Sequence, residues 1–300
     1  MPAMGACRVC SSLNTVNLCT TVNRASRIPE VSHRRCGDCG SVFIGNTVTN
    51  DDLALAYATI DEKAYYAEII KQNRKKFDSA ADDLASRVPL TAHILDIGGG
   101  SGEFLRALRD KGFVNLALHE IPGSDAPEIE GIEARVFRDF DYSTIPSGEF
   151  DVVTMMDVME HVPSPLSTVQ ASFRALRPGG VIYIHTPVVT KIDRMMHLFQ
   201  KLPILNRIGR AWQPSRTSVL HLQNYTSKSL TLLMDRSGFT VELLSERNEL
   251  SWPLYRYIKV YLLPKNMPFG HLVALALAPL LWPLKTRMNS NKGVLAARRA

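Results

Sequence analysis

The sequence predicts a doubly wound α/β fold with a small metal-binding module before it and an apolar helical tail after it. Three observations support this prediction. A glycine-rich turn joins an apolar strand to an amphipathic helix at 94–104, and strands then alternate with helices to residue 187. Two C-x-x-C pairs precede this region. A run without formal charge, 266–284, follows it.

The composition is that of a globular protein. Hydrophobic residues make up 45% and charged residues 21% of the 300 positions, enough for one large domain with an appendage. The net charge of +6 fits anionic substrates or a membrane surface, and without basic–aromatic interleaving it predicts no nucleic-acid partner. The N-terminus lacks the pattern of a signal peptide, so we expect a reducing, cytoplasmic location.

Four parts follow from these patterns. We predict a metal-binding ribbon at 1–45, a helical lid or linker at 46–90, a nucleotide-binding α/β domain at 91–250, and an aromatic, apolar tail at 251–300. The pattern specifies no oligomeric state.

Four of the five cysteines form two pairs, Cys7-x-x-Cys10 and Cys36-x-x-Cys39. Each C-x-x-C turn directs two sulfurs at one ion, and two turns complete a tetrahedral site, so we predict structural zinc. The metal would supply folding free energy that so short a segment lacks. Disulfides and unliganded thiols are the alternatives. Cys19 lies between the pairs and is predicted to be a small buried apolar residue.

The sequence of the glycine turn distinguishes between two possible cofactors, a dinucleotide and a ligand without phosphate groups. Gly98 and Gly100 match the first two glycines of the dinucleotide pattern G-x-G-x-x-G, but Glu103 occupies the third position. Asp96 precedes them, where a carboxylate would repel a pyrophosphate and would suit a ligand with an ammonium group. S-adenosylmethionine (SAM) has that ammonium group and no phosphate. We therefore favour SAM over the cofactor of an NAD-dependent dehydrogenase or epimerase.

A second acid stands about 20 residues after the turn. Glu120 ends the second predicted strand, 113–119, where a carboxylate can accept hydrogen bonds from a ribose diol. The third strand is predicted at 131–137. The fourth, at 149–156, is nearly continuous and apolar, as a buried parallel strand should be.

These motifs resemble those of class I SAM-dependent methyltransferases, in the small-molecule branch that includes ubiquinone-type O-methyltransferases and sugar C-methyltransferases. D-x-G-x-G, beginning at Asp96, resembles motif I, and "FDVV…EHVPSP…LRPGGVIYI" is similar to the segment that follows it in this branch. The resemblance covers about 91–187, with a later likeness at 221–227, and implies a Rossmann-like methyltransferase sheet.

The resemblance also implies roles for single residues. It assigns the adenine contact to Asp139 and Phe140, and it predicts a cofactor contact for Met156 at the end of the fourth strand. In related enzymes a tyrosine on an N-terminal helix covers the methionyl end of SAM. The candidates here are Tyr57, Tyr65 and Tyr66; alternatively, these helices only pack on the sheet and solvate a basic face.

A hydroxyl or acidic carbon that accepts a methyl group gains from a general base. His161 follows the fourth strand, at the edge where ligands bind in such sheets, and its ordinary pKa suits this task. Alternatively, Glu160 and His161 only orient the turn. His185 and His221 are lesser candidates. Some relatives have an E-x-x-E-H metal site here, but Asp157 replaces the first glutamate.

We therefore expect SAM-dependent methyl transfer to a small-molecule acceptor, either lipid-linked or a nucleotide-linked sugar. A catalytically inactive methyltransferase-like binding subunit is the non-enzymatic alternative. Residues 188–220 mix apolar and basic side chains and would form a wall of the acceptor pocket. The apolar tail is predicted to make peripheral membrane contact; a true span and a helix packed on the domain are the alternatives.

Overall fold

The computed structural model describes residues 5–22, 28–58, 62–122, 134–218, 220–249, 255, 258–259, 269–287 and 291–300. Its elements in chain order are β1 (Thr15–Val22), β2 (Glu30–Cys36), β3 (Val42–Ile44), α1 (Asn50–Ala58), α2 (Glu62–Ala85), β4 (His93–Ile97), α3 (Glu103–Asp110), β5 (Asn115–Glu120), β6 (Arg135–Arg138), β7 (Phe150–Met156), α4 (Pro165–Ala175), β8 (Leu176–Pro187), α5 (Lys191–Phe199), α6 (Asn206–Trp212), a 3-10 turn (Gln213–Ser215), β9 (Gln223–Asn224), α7 (Ser227–Asp235), β10 (Phe239–Arg247), α8 (Gly270–Arg287) and β11 (Lys292–Arg299).

The larger sheet has seven strands in the order β10-β11-β8-β7-β4-β5-β6. Strands β4 to β8 run parallel, with β4 at the centre between β5 and β7. Alternation of apolar strands with amphipathic helices dictates this arrangement, because each parallel connection must cross a face of the sheet. The doubly wound α/β fold is therefore confirmed, and the carboxyl ends of β4, β5 and β7 meet at one edge.

The C-terminal segment completes this sheet. Strand β11 pairs antiparallel with both β8 and β10, and its residues Val294, Leu295 and Ala296 are fully buried. The sheet domain predicted to end at residue 250 therefore extends to residue 299. The physical reason is the short apolar run of β11, which can be buried only between two neighbouring strands.

Residues 248–291 form an insertion between β10 and β11. Arg247 pairs with Lys292, and Lys292 also pairs with Pro187 at the carboxyl end of β8. The insertion, which includes α8, therefore leaves and rejoins the sheet at the same edge as the glycine turn. Among the described helices, none has both the length and the apolar character needed to cross a membrane.

The N-terminal ribbon is joined to the large domain. Its sheet has the order β1-β2-β3-β9, and β9 comes from residues 223–224 of the large domain. The Arg8 guanidinium donates hydrogen bonds to the carbonyl oxygens of Pro163 (2.8 Å) and Asn46 (2.7 Å). Cys7, Cys39 and Tyr225 also share one buried core. The predicted division placed the end of the ribbon at residue 45. In the structure the ribbon and the large domain share a sheet and a core, so no structural boundary lies there.

Two smaller predictions need comment. The third strand of the sheet, predicted at 131–137, is observed as β6 at Arg135–Arg138, and residues 131–133 lie outside the described part of the chain. The side chains of Tyr57, Tyr65 and Tyr66, the candidates for a cofactor lid, also lie outside it.

Candidate active site

The glycine turn follows β4 and packs against the loop that follows β7. Gly98 has a φ of 66° and Gly100 a φ of 54°, backbone conformations that strongly favour glycine. A Cβ atom on Gly98 would lie 2.7 Å from Cγ2 of Val158. The turn therefore needs glycine both for its backbone angles and for close contact with the loop that carries His161.

Glu120 lies over this turn. It ends β5, and its Oε2 accepts a hydrogen bond from the amide of Gly100 at 2.9 Å. Its Oε1 accepts another from the amide of Ile121 at 2.9 Å. A carboxylate has about four lone-pair sites, so two further donors can bind. Glu120 therefore contacts the glycine turn directly, and its predicted role as acceptor for a ribose diol remains a prediction.

Asp96 lies behind the turn. Its side chain is 1% exposed, and Oδ1 accepts a hydrogen bond from Thr154 Oγ1 at 2.6 Å. Oδ2 is buried and has no hydrogen-bond partner in the part of the chain that the structure describes. Burial, reinforced by the charge of Glu120, raises the pKa of Asp96 to about 7. An orphaned carboxylate oxygen at this position fits a cationic group bound nearby.

The loop after β6 holds Asp139 and Phe140. The Asp139 carboxylate accepts hydrogen bonds from Tyr142, from Thr144 and from His119 (3.2 Å), which lower the pKa of Asp139 against the effect of burial. These hydrogen bonds hold the loop that contains Asp139. They leave its carboxylate few acceptor sites for the predicted contact with adenine. The Phe140 side chain is 40% exposed beside it.

The end of β7 brings Met156 and His161 to the same edge. Met156 is partly buried against the core that includes Tyr183 and Leu118. Nδ1 of His161 donates a hydrogen bond to the carbonyl oxygen of Leu220 at 2.7 Å. Because a carbonyl oxygen can only accept, the neutral ring carries its proton on Nδ1, and Nε2 is the atom that can take up a proton.

The two lesser base candidates are in different surroundings. His185 lies between Asp157 (2.8 Å) and Glu249 (2.7 Å), which raise its pKa against the effect of burial. Both its nitrogens contact carboxylates, so neither is available to act as a base on an acceptor. His221 packs edge-to-face on His161, with ring centroids 4.7 Å apart, and burial lowers its pKa to about 3. Its neutral ring packs against the ring of His161 and helps to fix its position.

Asp157 is held by cations. Its carboxylate contacts Nζ of Lys76 at 2.6 Å and Nζ of Lys292 at 2.5 Å, in addition to His185. Despite burial, Lys292, His185 and Lys76 hold the pKa of Asp157 well below its usual value. These contacts tie α2 and β11 to the loop after β7. Sequence reasoning missed both lysines, because they lie far from Asp157 along the chain.

The residues that could bind a metal here differ from those that the E-x-x-E-H resemblance implies. Asp157 is neutralised by two lysines, whereas Glu160, His161 and His221 have ligand atoms within 4.8 Å of one another. Glu160 accepts a hydrogen bond from Thr186 at 3.0 Å, and burial together with the charge of Asp157 raises its pKa. A set of one carboxylate and two imidazoles could hold a divalent ion.

The four paired cysteines come together as the spacing predicts. Their sulfurs lie within 4.8 Å of one another, and the Cys7–Cys39 and Cys10–Cys36 sulfur pairs are each 3.5 Å apart. A tetrahedral zinc site with Zn–S bonds of about 2.3 Å has sulfurs about 3.8 Å apart, so the geometry fits this metal. All five cysteines lie within the described ranges, and each is a free thiol. Cys19 is buried, as predicted.

Comparison with known proteins identifies the family. The sequence profile described as a methyltransferase domain matches residues 62–244, more than half of the chain. The protein therefore belongs to this family, and the sheet and glycine turn agree with the class I SAM-dependent branch. Membership supports SAM as its cofactor and does not support the dehydrogenase alternative.

Curated relatives are similar over the central part of the chain. The ubiquinone biosynthesis O-methyltransferase of Thiobacillus denitrificans is 33% identical over 114 residues, 34% of this chain and 47% of that protein. The enzyme of the same name from Marinobacter nauticus is 34% identical over 102 residues, 31% of this chain and 42% of its own length. The chain thus spans about half the length of these relatives.

Solved structures share the fold at low sequence identity. A chain from the complex of the Haloferax volcanii Trm112 methyltransferase activator with a methyltransferase has a TM-score of 0.51 and 17% identity, covering 79% of this chain and 97% of that one. A SAM-dependent methyltransferase from Thermotoga maritima has a TM-score of 0.50 and 12% identity, covering 83% and 99%. Both likenesses concern the fold alone.

Proposed function

We propose that this protein transfers the methyl group of SAM to a small-molecule acceptor. The observation that carries the proposal is the contact between Glu120 and the amide of Gly100. It sets an acid with spare acceptor capacity on a glycine turn at the carboxyl edge of the sheet. Family membership supports this reaction for the fold.

The cofactor would be held by the residues around this turn. Glu120 accepts hydrogen bonds from the ribose diol, and an ammonium group bound at the turn favours the ionised form of Asp96, which attracts it from behind the turn. Phe140 and Met156 supply apolar contact for the adenine ring, while Asp139 shapes the loop that presents Phe140. Bound SAM supplies a methyl group activated by its sulfonium sulfur.

His161 is proposed as the general base. Its Nε2 takes the proton from a hydroxyl or an acidic carbon of the acceptor as that atom becomes methylated. The hydrogen bond to Leu220 fixes the tautomer that leaves Nε2 able to accept this proton. The contact of Gly98 with Val158 holds the base loop against the cofactor turn, so positioning contributes to the rate.

The acceptor is proposed to be a lipid-linked small molecule. Phe269, Leu272, Leu275 and Trp282 of α8 and the residue before it are between 49% and 71% exposed, whereas Ala274 on the opposite side is buried. This apolar face belongs to the insertion that leaves the sheet at the catalytic edge. It supports peripheral contact with a membrane, from which an apolar acceptor could enter. The names of the curated relatives support this class.

A nucleotide-linked sugar is the second acceptor class, supported by the basic residues of 188–220. One experiment tests the activity and separates the two classes. Purified protein is incubated with methyl-labelled SAM and a cell extract, which is then divided into lipid and aqueous fractions. We expect label in the lipid fraction. Label only in the aqueous fraction would favour the sugar, and no labelled small molecule would contradict methyl transfer.

We also propose that the four paired cysteines bind one structural zinc ion. The ribbon shares its core with the large domain through Tyr225 and contacts the loop after β7 through Arg8. The metal would hold the ribbon's two C-x-x-C turns together and so stabilise one side of this loop. Its four proposed ligands are not among the residues proposed to contact the cofactor or to act as the base.

A further inference from the structure

A cavity lies away from the glycine turn, beside the ribbon. It occupies about 360 Å³ between the ribbon, α5 and the first turn of α7. Its size lies within the roughly 300–1,000 Å³ typical of sites for small ligands. Its walls include Arg35, Arg194, His197 and Lys228, together with the carboxylates of Asp38 and Glu246, so cations outnumber acids by three to two. We call this cavity the basic cleft.

The cations of the basic cleft are not neutralised by ion pairs. Within the described ranges, the side chains of Arg35 and Arg194 make neither an ion pair nor a hydrogen bond. Nζ of Lys228 donates to the carbonyl oxygen of Asp38 at 2.6 Å, and its charge also interacts with the Asp38 carboxylate, so the surplus positive charge of the cleft comes from the two arginines. The first turn of α7, which begins at Ser227, adds the positive end of a helix. These groups favour an anion.

A buried imidazole adds a second, independent requirement. His197 is 5% exposed, and its Nε2 lies 3.0 Å from Oε1 of Gln213. Gln213 donates through Nε2 to Thr217, so its Oε1 must accept from His197. Nδ1 of His197 is then a hydrogen-bond acceptor, and it has no partner among the described residues. Burial lowers the pKa of His197, which keeps the ring neutral.

We infer that the basic cleft binds a small phosphorylated molecule that also carries a hydroxyl group. Arg35 and Arg194 bind the phosphate, because a guanidinium matches its oxygens with paired donors. The first turn of α7 supports the same anion. His197 accepts the hydrogen bond of a hydroxyl through Nδ1. The site is separate from the cofactor turn and does not depend on methyl transfer.

Titration calorimetry of the full-length protein tests this inference with ribose 5-phosphate as the probe. We expect one molecule bound per chain, weaker binding of inorganic phosphate, and no binding of ribose. Saturating SAM should leave the affinity for ribose 5-phosphate unchanged. Absence of binding, or competition by SAM, would overturn the inference. Equal affinity for phosphate and ribose 5-phosphate would refute the role of His197.

Charge-matched variants locate the site. Arg35→Gln/Arg194→Gln should weaken ribose 5-phosphate binding at least about tenfold, because two charge-assisted contacts are lost. Lys201→Gln/Arg207→Gln removes the same charge outside the cleft and should leave the affinity unchanged. Equal weakening in both variants would show a nonspecific charge effect and refute the site. If the first variant unfolds, Arg194→Gln alone, on an exposed side chain, should still weaken binding severalfold.

Discussion

Glu120 Oε2 lies 2.9 Å from the amide nitrogen of Gly100 and accepts its hydrogen bond. This contact joins the carboxyl ends of β4 and β5, two neighbouring strands of the sheet. It brings the acid to the turn at which the family binds its cofactor. The proposed cofactor site, the loop with His161 and the insertion with α8 all lie at this one edge.

Replacement of the proposed base should separate chemistry from cofactor binding. We expect His161→Gln to lower methyl transfer roughly 100- to 10,000-fold, because the proton of the acceptor loses its specific base. SAM affinity should change little. Transfer of labelled methyl to the acceptor fraction measures the first effect, and calorimetry measures the second.

The matched control for this variant is His93→Gln, at the amino end of β4 and so at the opposite edge of the sheet. It should retain wild-type turnover. Undiminished turnover in His161→Gln would show that His161 only orients its loop.

The raised pKa of Asp96 predicts a pH-dependent stability. Between its usual value of 3.8 and about 7, the folded protein binds a proton at Asp96 that the unfolded chain has released. This contribution to the free energy of unfolding therefore falls as pH rises through that window. At about 1.4 kcal/mol per pKa unit, the loss approaches roughly 4 kcal/mol above pH 7.

Asp96→Asn should remove this part of the pH dependence. Urea unfolding of the wild type and of Asp96→Asn at pH 5 and pH 8 measures it. We expect the stability of the variant relative to wild type to rise from pH 5 to pH 8. An unchanged difference between the two proteins would indicate that Asp96 has an ordinary pKa.

Removal of one proposed zinc ligand should release the metal. We expect elemental analysis to find one zinc ion per wild-type chain and none in Cys36→Ser. The Tm should fall by roughly 5–10 °C, as about 2–3 kcal/mol would cause in a protein of this size. Cys19→Ser, at the cysteine outside the cluster, should keep both metal and Tm. A wild-type chain purified without metal would refute the site.

The apolar face of α8 predicts binding to vesicles. We expect Leu272→Glu/Trp282→Glu to reduce cosedimentation with vesicles of phosphatidylglycerol and phosphatidylcholine at least about tenfold, because two apolar side chains no longer enter the interface. Leu90→Glu/Val114→Glu adds the same charge at exposed apolar positions outside the insertion, and should bind like the wild type. Equal loss in both variants would argue against a specific role for α8.

The parts of the fold that could be predicted depend on local patterns. The glycine turn, Glu120 and the apolar strand that ends at Met156 are each encoded within a few residues, by periodicity and short spacing. The cysteine cluster could also be predicted, since each C-x-x-C turn directs its own two sulfurs. These elements need no knowledge of distant contacts.

The parts that could not be predicted depend on distant pairs. Strand β11 is a short apolar run in a basic segment, and it becomes a strand only because β8 and β10 leave a gap between them. The roles of Lys76 and Lys292 depend on Asp157, which is 81 positions from the first and 135 from the second. The hydrogen bond that fixes the tautomer of His161 is donated to the carbonyl oxygen of Leu220, in a loop without a recognisable motif.

Titration calorimetry with SAM and NAD tests the central claim most directly. We expect SAM to bind with one molecule per chain and NAD to produce no heat. Glu120→Ala should weaken SAM binding about 10- to 100-fold, because hydrogen bonds to a charged group are lost. Glu149→Ala, at the opposite edge of the sheet, should leave it unchanged. Binding of NAD in preference to SAM, or unaltered SAM affinity in Glu120→Ala, would contradict the proposed site.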